Sequence, residues 1–197
     1  KSKKFIFKKI DLKNFDQTYK FVKKKKIDFI IHLAAQPGVR VSLKKPLVTL
    51  NQNLILFINI LEIARLKKVK KIIYASSSSV YGDSKIYPFK EDDHENVPSS
   101  VYGATKLSNE IIAQSYSLNF KMKCVGVRFF TVYGPYGRPD MAYFSFINKL
   151  YTQKKITVFN KGKMLRDFTY IEDIVEGILK LLQKKIKPNH CVVNLGK

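Results

Sequence analysis

Cysteine is nearly missing from this chain: Cys124 and Cys191 are the whole complement, they stand far apart, and each lies in an apolar run. That excludes a disulfide-stapled scaffold, and both read as buried free thiols in a reducing compartment, with the cytoplasm as default. The histidines His32, His94 and His190 are just as scattered, so no zinc-type ligand spacing exists and no metal is expected. No unbroken run of about 18 apolar residues occurs, so no membrane span is expected. The basic start, Lys1 to Phe7, lacks the apolar stretch and small-residue cleavage site of a leader.

Arginine is rare too. It occurs only at positions 40, 65, 128, 138 and 166, so lysine carries most of the net charge of +22. The lysines gather in runs such as Lys23–Lys26, Lys67–Lys71 and Lys184–Lys187, flanking helices and strands. Phosphate and base readers lean on arginine forks and interleaved aromatics. The charge therefore reads as a solvated surface with no nucleic-acid partner, and it attracts small anions at low salt. A non-catalytic basic binding module is the alternative from a different class.

A further absence concerns glycine. No G-x-G-x-x-G or G-x-x-G-x-x-G follows a strand, and the opening Phe5–Ile10 reads as a later strand ending at Asp11–Leu12. The chain also stops straight after a strand. It is expected to be cut at both ends, and this piece alone to bind a dinucleotide weakly or not at all.

What is present is an alternation of short apolar runs and longer periodic ones, in a chain whose 45% hydrophobic content supports one sizeable core. Ile27–Ala35 reads as a central strand buried on both faces, and Asn51–Leu66 as a helix. Lys71–Ser76 reads as a second buried strand. Ser99 or Ser100 caps a helix reaching to about Leu118. Met122–Phe130 reads as a strand, followed by a Gly/Pro-rich loop, Tyr133–Pro139. Ala142–Leu150 reads as helix, Ile156–Phe159 as extended, Ile171–Gln183 as a strongly amphipathic helix and Cys191–Leu195 as the last strand.

The chemistry concentrates in Ala75–Gly82 (ASSSSVYG) and Tyr102–Lys106 (YGATK). Tyrosine and lysine four apart on a helix share a face, and an ammonium beside a phenol lowers the phenol pKa. A serine-rich strand end supplies a hydroxyl to share the proton. This is the equipment of alcohol–ketone chemistry. Taken alone, the pair is as readily a surface Tyr/Lys pair, and the serines a polar strand end capping the next turn. Tyr81 reads as packing.

With His32–Arg40 (HLAAQPGVR), Arg128–Pro135 (RFFTVYGP), Gly137–Met141 (GRPDM) and Arg166–Tyr170 (RDFTY) added in order, the chain resembles the extended short-chain dehydrogenase/reductase family. Within it, the chain is most similar to the nucleotide-sugar 4-epimerases of the UDP-glucuronate group. The resemblance implies an α/β fold: a Rossmann-like doubly wound parallel sheet, N-terminally truncated, with part of a smaller substrate-binding domain. Residues 1–135 would be the partial NAD-binding domain and 136–197 the interleaved partial substrate domain.

The resemblance also implies roles. Tyr102 would be the base at the sugar C4 hydroxyl and Ser77 the catalytic hydroxyl, with Ser79 facing the sugar. Lys106 would hold the nicotinamide ribose. Asp11 and Leu12 would lie near the adenine, Ala34, Ala35 and Gln36 would line the dinucleotide, and Phe130 would face the cofactor. Asn53 would be either structural or cofactor-side. Thr131 and Arg138 would hold a sugar carboxylate, though Arg138 reads equally as a loop partner of Asp140. Arg166 would hold the nucleotide diphosphate, or else pair with Glu172 or Asp173.

The related 4,6-dehydratases carry an Asp–Glu pair where Ser78 and Ser79 stand here, so dehydration is disfavoured. A UDP-sugar substrate, NAD and a homodimer of the full-length form follow from the resemblance. Another epimerase, decarboxylase or dehydratase of the same family is the alternative.

Overall fold

Side chains alternate across β2 (Lys71–Ser77), as successive strand residues must: Ile72 and Tyr74 enter one apolar cluster and Ile73 the other. Both faces of this strand are therefore covered, which makes it the centre of the sheet. The computed structural model describes residues 4–93, 97–158, 160–163 and 165–196. Among them β1 (Phe29–His32), β2, β3 (Cys124–Phe129) and β6 (His190–Leu195) form one parallel sheet in the order β1-β2-β3-β6. A parallel pair needs a crossover, and helices supply it. On one face lie α4 (Leu56–Leu66) and α5 (Val101–Phe120), packing Phe57, Leu61 and Ala113 on Ile72, Tyr74 and Cys124. On the other, α7 (Ile171–Gln183) sets Ile174 and Ile178 against Ile73, Val125 and Val127. Each fully buried side chain of this kind stabilises the fold by roughly 1.5–3 kcal/mol. The architecture is Rossmann-like, as the sequence implies.

Lys71 opens β2 yet is buried, because its ammonium donates to the carbonyls of Leu181, Leu182 and Lys184 at 2.6, 2.8 and 2.7 Å. It thereby satisfies the open end of α7.

Several expectations are corrected. Phe5–Ile10 forms no strand: no neighbour pairs with it, and Phe5, Ile6 and Phe7 are exposed. Ile27–Ala35 yields only the four-residue β1, at the edge of the described sheet, with Phe29 and Ile31 exposed. Its apolar run reflects one packed face and the chain's exit towards the site. The Tyr133–Pro139 loop starts later than expected, because Thr131–Tyr133 forms β4 and pairs with β5 (Phe168–Tyr170). Ile156–Val158 joins no strand, and Phe159 lies outside the described residues.

The expected absence of a span-like segment also needs correcting. α3 (Pro46–Leu50), a π-helical turn (Asn51–Ile55) and α4 continue as one rod, Pro46–Leu66, apolar and long enough to cross a membrane by length and composition. Polar Asn51, Asn53 and Asn59 break the run, so no unbroken apolar stretch exists, while the many Leu and Ile keep the mean high; Phe57 and Leu61 hold the rod in the core.

The helices expected at Ala142–Leu150 and Ile171–Gln183 form as α6 (Ala142–Tyr151) and α7. Two short helices, α1 (Phe15–Val22) and α2 (Val39–Lys44), precede and follow β1.

Candidate active site

The parallel strands end together, and the loops leaving their carboxyl ends gather the candidate residues. After β2 the chain turns at once into a 3-10 turn, Ser78–Tyr81, capped by Ser77, whose Oγ accepts from the Ser79 amide at 3.1 Å. Ser77 Oγ also lies 3.2 Å from Ser79 Oγ, so both hydroxyls share one small polar patch. Ser77 thus caps the next turn, while the same hydroxyl stays beside Ser79.

Helix α5 starts beside that turn. Ser100 caps it, its Oγ accepting from the Gly103 amide at 3.0 Å. Gly103 lets the two elements touch, since a Cβ there would sit 2.5 Å from the Ser79 carbonyl oxygen. This places Tyr102, one residue from the positive end of the helix, next to Ser77.

Lys106 is where the chemistry differs from the sequence reading. Its side chain is buried, and its ammonium donates to the Ala75 carbonyl at 2.8 Å, lying 5.9 Å from the Tyr102 ring centre. The ammonium serves the strand end and not the phenol oxygen. Burial raises the Tyr102 pKa above its ordinary value, while the Ser77 hydroxyl and the Arg138 charge pull against it. The expected depression by Lys106 is therefore absent here. Burial brings Lys106 itself down to about 8.

Lys106 also acts on His32, which is buried at the end of β1 with its ring 5.6 Å from Phe57. Burial first, and the Lys106 charge second, lower His32 to about 4. The unfolded chain takes up this proton near pH 6.5. Between those values the unfolded state binds more protons, so stability falls as pH drops through the window, by roughly 3 kcal/mol in total. We expect His32→Asn to flatten that limb. Urea unfolding of both proteins between pH 4 and 7 checks it, and parallel curves would sink the assignment.

Asn53 staples the loop after β1. Its Oδ1 accepts from the Gln36 amide at 2.7 Å, and its Nδ2 donates to the Gln36 carbonyl at 3.2 Å and to Thr105 Oγ1 at 3.0 Å. These bonds give Asn53 a structural role in fixing that loop. Ala34 is exposed and Ala35 half-buried on the loop thus fixed. Asp11 and Leu12 are held elsewhere: Asn59 Nδ2 donates to the Leu12 and Lys13 carbonyls at 3.0 and 2.8 Å, and Asp11 is exposed beside Lys13.

Phe130 and Arg138 line a hollow of about 280 Å³ with Val132, Gly134, Met141 and Tyr143. Arg138 Nε pairs with Asp140 Oδ1 at 2.5 Å, the loop partner that the sequence offers it. Its Nη2 lies near Gly38, next to the loop that Asn53 fixes. Thr131 is half-buried in β4. Arg166 stays on the exposed segment before β5, its Nη1 donating to the Leu165 carbonyl at 2.7 Å. The structure thus brings Ser77, Ser79, Tyr102, Lys106 and Arg138 together, with Asn53 and Gln36 behind them.

The sequence reading gave no role to a buried network behind the serine turn. Arg128 of β3 makes a bidentate pair with Glu110 of α5, at 3.0 and 2.8 Å, with both side chains buried. Ser76 Oγ donates to Glu110, and Arg128 Nη1 donates to Tyr81 Oη at 2.8 Å. Tyr81 in turn donates to Asn194 Oδ1 at 2.7 Å. Tyr81 packs on Phe89 as expected, but it is also hydrogen-bonded. A charge inside the apolar run VGVRFF was the available signal, because buried charges need partners.

Among the described residues no group of three or more His, Cys, Asp or Glu is placed to hold a metal; His94 lies outside them. The parts that fit a dinucleotide are the exposed small residues at a parallel strand end and a buried ammonium. Ala75 is that ammonium's sole hydrogen-bond partner among the described residues, so two of its three donors are left for ligand hydroxyls.

The family model described as NAD dependent epimerase/dehydratase matches residues 1–196. The chain is 41% identical over 197 residues to a UDP-glucuronate 4-epimerase of Thermodesulfobacterium geofontis, covering 100% of this chain and 59% of that protein. It is 46% identical over 154 residues to a probable UDP-glucuronate 4-epimerase of Rhizobium meliloti, covering 78% of this chain and 45% of that one. Among solved structures, UDP-glucuronic acid 4-epimerase from Bacillus cereus, in complex with UDP-glucuronic acid and NAD, superposes with a TM-score of 0.89 at 38% identity. That match covers 99% of this chain and 61% of the Bacillus cereus chain. The chain thus spans less than two thirds of the length of these relatives. With the strand order, the serine turn and the Tyr102/Lys106 helix in place, it belongs to the NAD-dependent epimerase/dehydratase family.

Proposed function

We propose that this chain carries the proton-transfer part of an NAD-dependent nucleotide-sugar 4-epimerase that interconverts UDP-glucuronate and its C4 epimer. The observation that carries this reading is the cluster of Tyr102, Ser77 and Ser79 at the sheet's carboxyl end, with a buried Lys106 one turn along and Arg138 adjoining. NAD, held by Lys106 and the loop of Ala34, Ala35 and Gln36, would supply reversible hydride acceptance at C4.

The chain's own residues bind, orient and move the proton. Tyr102 Oη accepts the C4 hydroxyl proton in its phenolate form, which the Ser77 hydroxyl and the Arg138 charge favour against burial, and Lys106 offers its remaining donors to the cofactor ribose. Ala34, Ala35, Gln36 and Phe130 border the cofactor, and Asp11 and Leu12 its adenine end. Ser79, Thr131, Arg138 and Arg166 serve the UDP-sugar. In this reading residues 1–135 form the cofactor half and 136–197 contribute to the substrate side. The protein is a cytoplasmic homodimer paired through the Pro46–Leu66 rod and α5, on which Ile55 and Ile111 are exposed. The serines at 78 and 79, where dehydratases carry acids, support epimerisation over dehydration.

The carboxylate assignment is tested by Arg138→Ala. A charge-assisted fork contributes about 1.5–3 kcal/mol, so discrimination between UDP-glucuronate and UDP-glucose is expected to fall roughly 10- to 100-fold in kcat/KM. An unchanged ratio would sink the acidic-sugar reading and leave a neutral-sugar epimerase.

A further inference from the structure

We propose that the amino-terminal edge of the parallel sheet, opposite the candidate site, is a docking surface for an anionic lipid bilayer. Because all four strands of the sheet run parallel, the segments leading into them open on one edge. Those segments are the lysine-rich parts of the sequence. Lys23–Lys26 precede β1, Lys68 and Lys70 precede β2, Lys121 and Lys123 precede β3, and Lys184–Lys187 precede β6. Sequence alone reads them as scattered runs. The fold joins them: Lys67 Nζ donates to the Lys23 carbonyl, the Ile72 amide to the Lys123 carbonyl and buried Lys71 to the Lys184 carbonyl.

Apart from Lys67 and Lys71 these lysines are exposed, and the acids beside them, Asp28 and Glu62, are engaged by Lys70 and Arg65. Strands stand about 4.8 Å apart, so the rim crosses roughly 15 Å of nearly uniform positive charge. Acids such as Asp83, Asp92, Asp140 and Asp167 lie instead in loops beyond the strands' carboxyl ends.

The composition of the rim selects its partner. Lysines are point charges suited to a diffuse anionic surface, and Arg65, its single arginine, is tied to Glu62. The helices run back to the same edge and end there in Leu66 and Phe120, 43% and 48% exposed beside the lysines. A duplex offers nothing to bury such side chains in, whereas the headgroup–acyl boundary does. Docked this way, the candidate site faces away from the membrane and stays open to solution.

Vesicle co-sedimentation tests the proposal, using phosphatidylcholine vesicles with and without phosphatidylglycerol, each at low and high salt. Binding is expected only with phosphatidylglycerol, and to be lost at high salt. Reversing Lys23, Lys24, Lys184 and Lys185 to Glu should weaken partition by about a hundredfold or more. Reversing Lys154, Lys155, Lys161 and Lys163, exposed outside the rim, removes the same charge and should weaken it less than about tenfold. Three results would overturn the proposal: equal losses from the two variants, binding without phosphatidylglycerol, or tighter binding of duplex DNA than of the vesicles.

Discussion

Glu110→Leu is expected to destabilise the fold by about 3–5 kcal/mol, because it leaves the Arg128 guanidinium charged and unpaired inside the protein. Among the described residues no second carboxylate bonds this charge. Its other acceptors are the Tyr81 hydroxyl and the Glu91 carbonyl, at 2.8 and 3.3 Å. Burial alone would lower the Arg128 pKa, yet the Glu110 bonds and charge, with Tyr81, outweigh it and raise it. The guanidinium therefore stays protonated and must be solvated by the protein.

Adding Arg128→Met should recover most of the loss, since an apolar pair of similar volume is often as stable as a buried ion pair. Recovery will be incomplete, because Ser76 and Tyr81 each lose a partner, at about 1 kcal/mol apiece. Urea unfolding of the wild type, the single and the double variant measures all three terms. A single-variant loss below about 1 kcal/mol would mean that water reaches the pair, contrary to its burial.

The same network shows what a sequence can and cannot disclose. Helices α5 and α7 were legible because their capping and spacing are local: Ser100 caps its own helix, and α7 spans the residues its periodicity marks. Strand β2 was legible because an apolar run ending in serines has few other uses. The edge position of β1 was not, because the exposure of Phe29 and Ile31 depends on which strands flank it. Pairing between β4 and β5 joins segments more than thirty residues apart and leaves no local signature.

At the site, residue identities were readable but not their partners. The shared face of Tyr102 and Lys106 follows from helical spacing. That the ammonium turns to the Ala75 carbonyl depends on how close β2 passes to α5, which the Gly103 approach decides. Asn53 was ambiguous for the same reason: its three partners come from a loop and another helix.

Tyr102→Phe is expected to remove on the order of 10²–10⁴-fold of the C4 interconversion rate while leaving stability nearly unchanged. The hydroxyl is engaged by Ser77 alone among the described side chains, so its loss opens no cavity and breaks no network. Lys106→Met should reduce turnover comparably but make the fold more stable. A lysine whose pKa is lowered from 10.5 to about 8 carries a penalty for being charged at neutral pH, and that penalty disappears with the ammonium. Against it stands the lost bond to the Ala75 carbonyl, leaving a net gain of roughly 2 kcal/mol.

The gain should be confined to neutral and lower pH. As pH rises from about 8 to 10.5 the folded wild type sheds the proton that its unfolded chain still holds, so its stability climbs towards that of the variant. Turnover assays beside thermal melts at pH 7 and 10 separate the two roles. A structural lysine would lose stability on substitution at both pH values. A lysine kept charged and buried for chemistry gains it at pH 7, and that divergence from Tyr102→Phe would mark the pair as a working site.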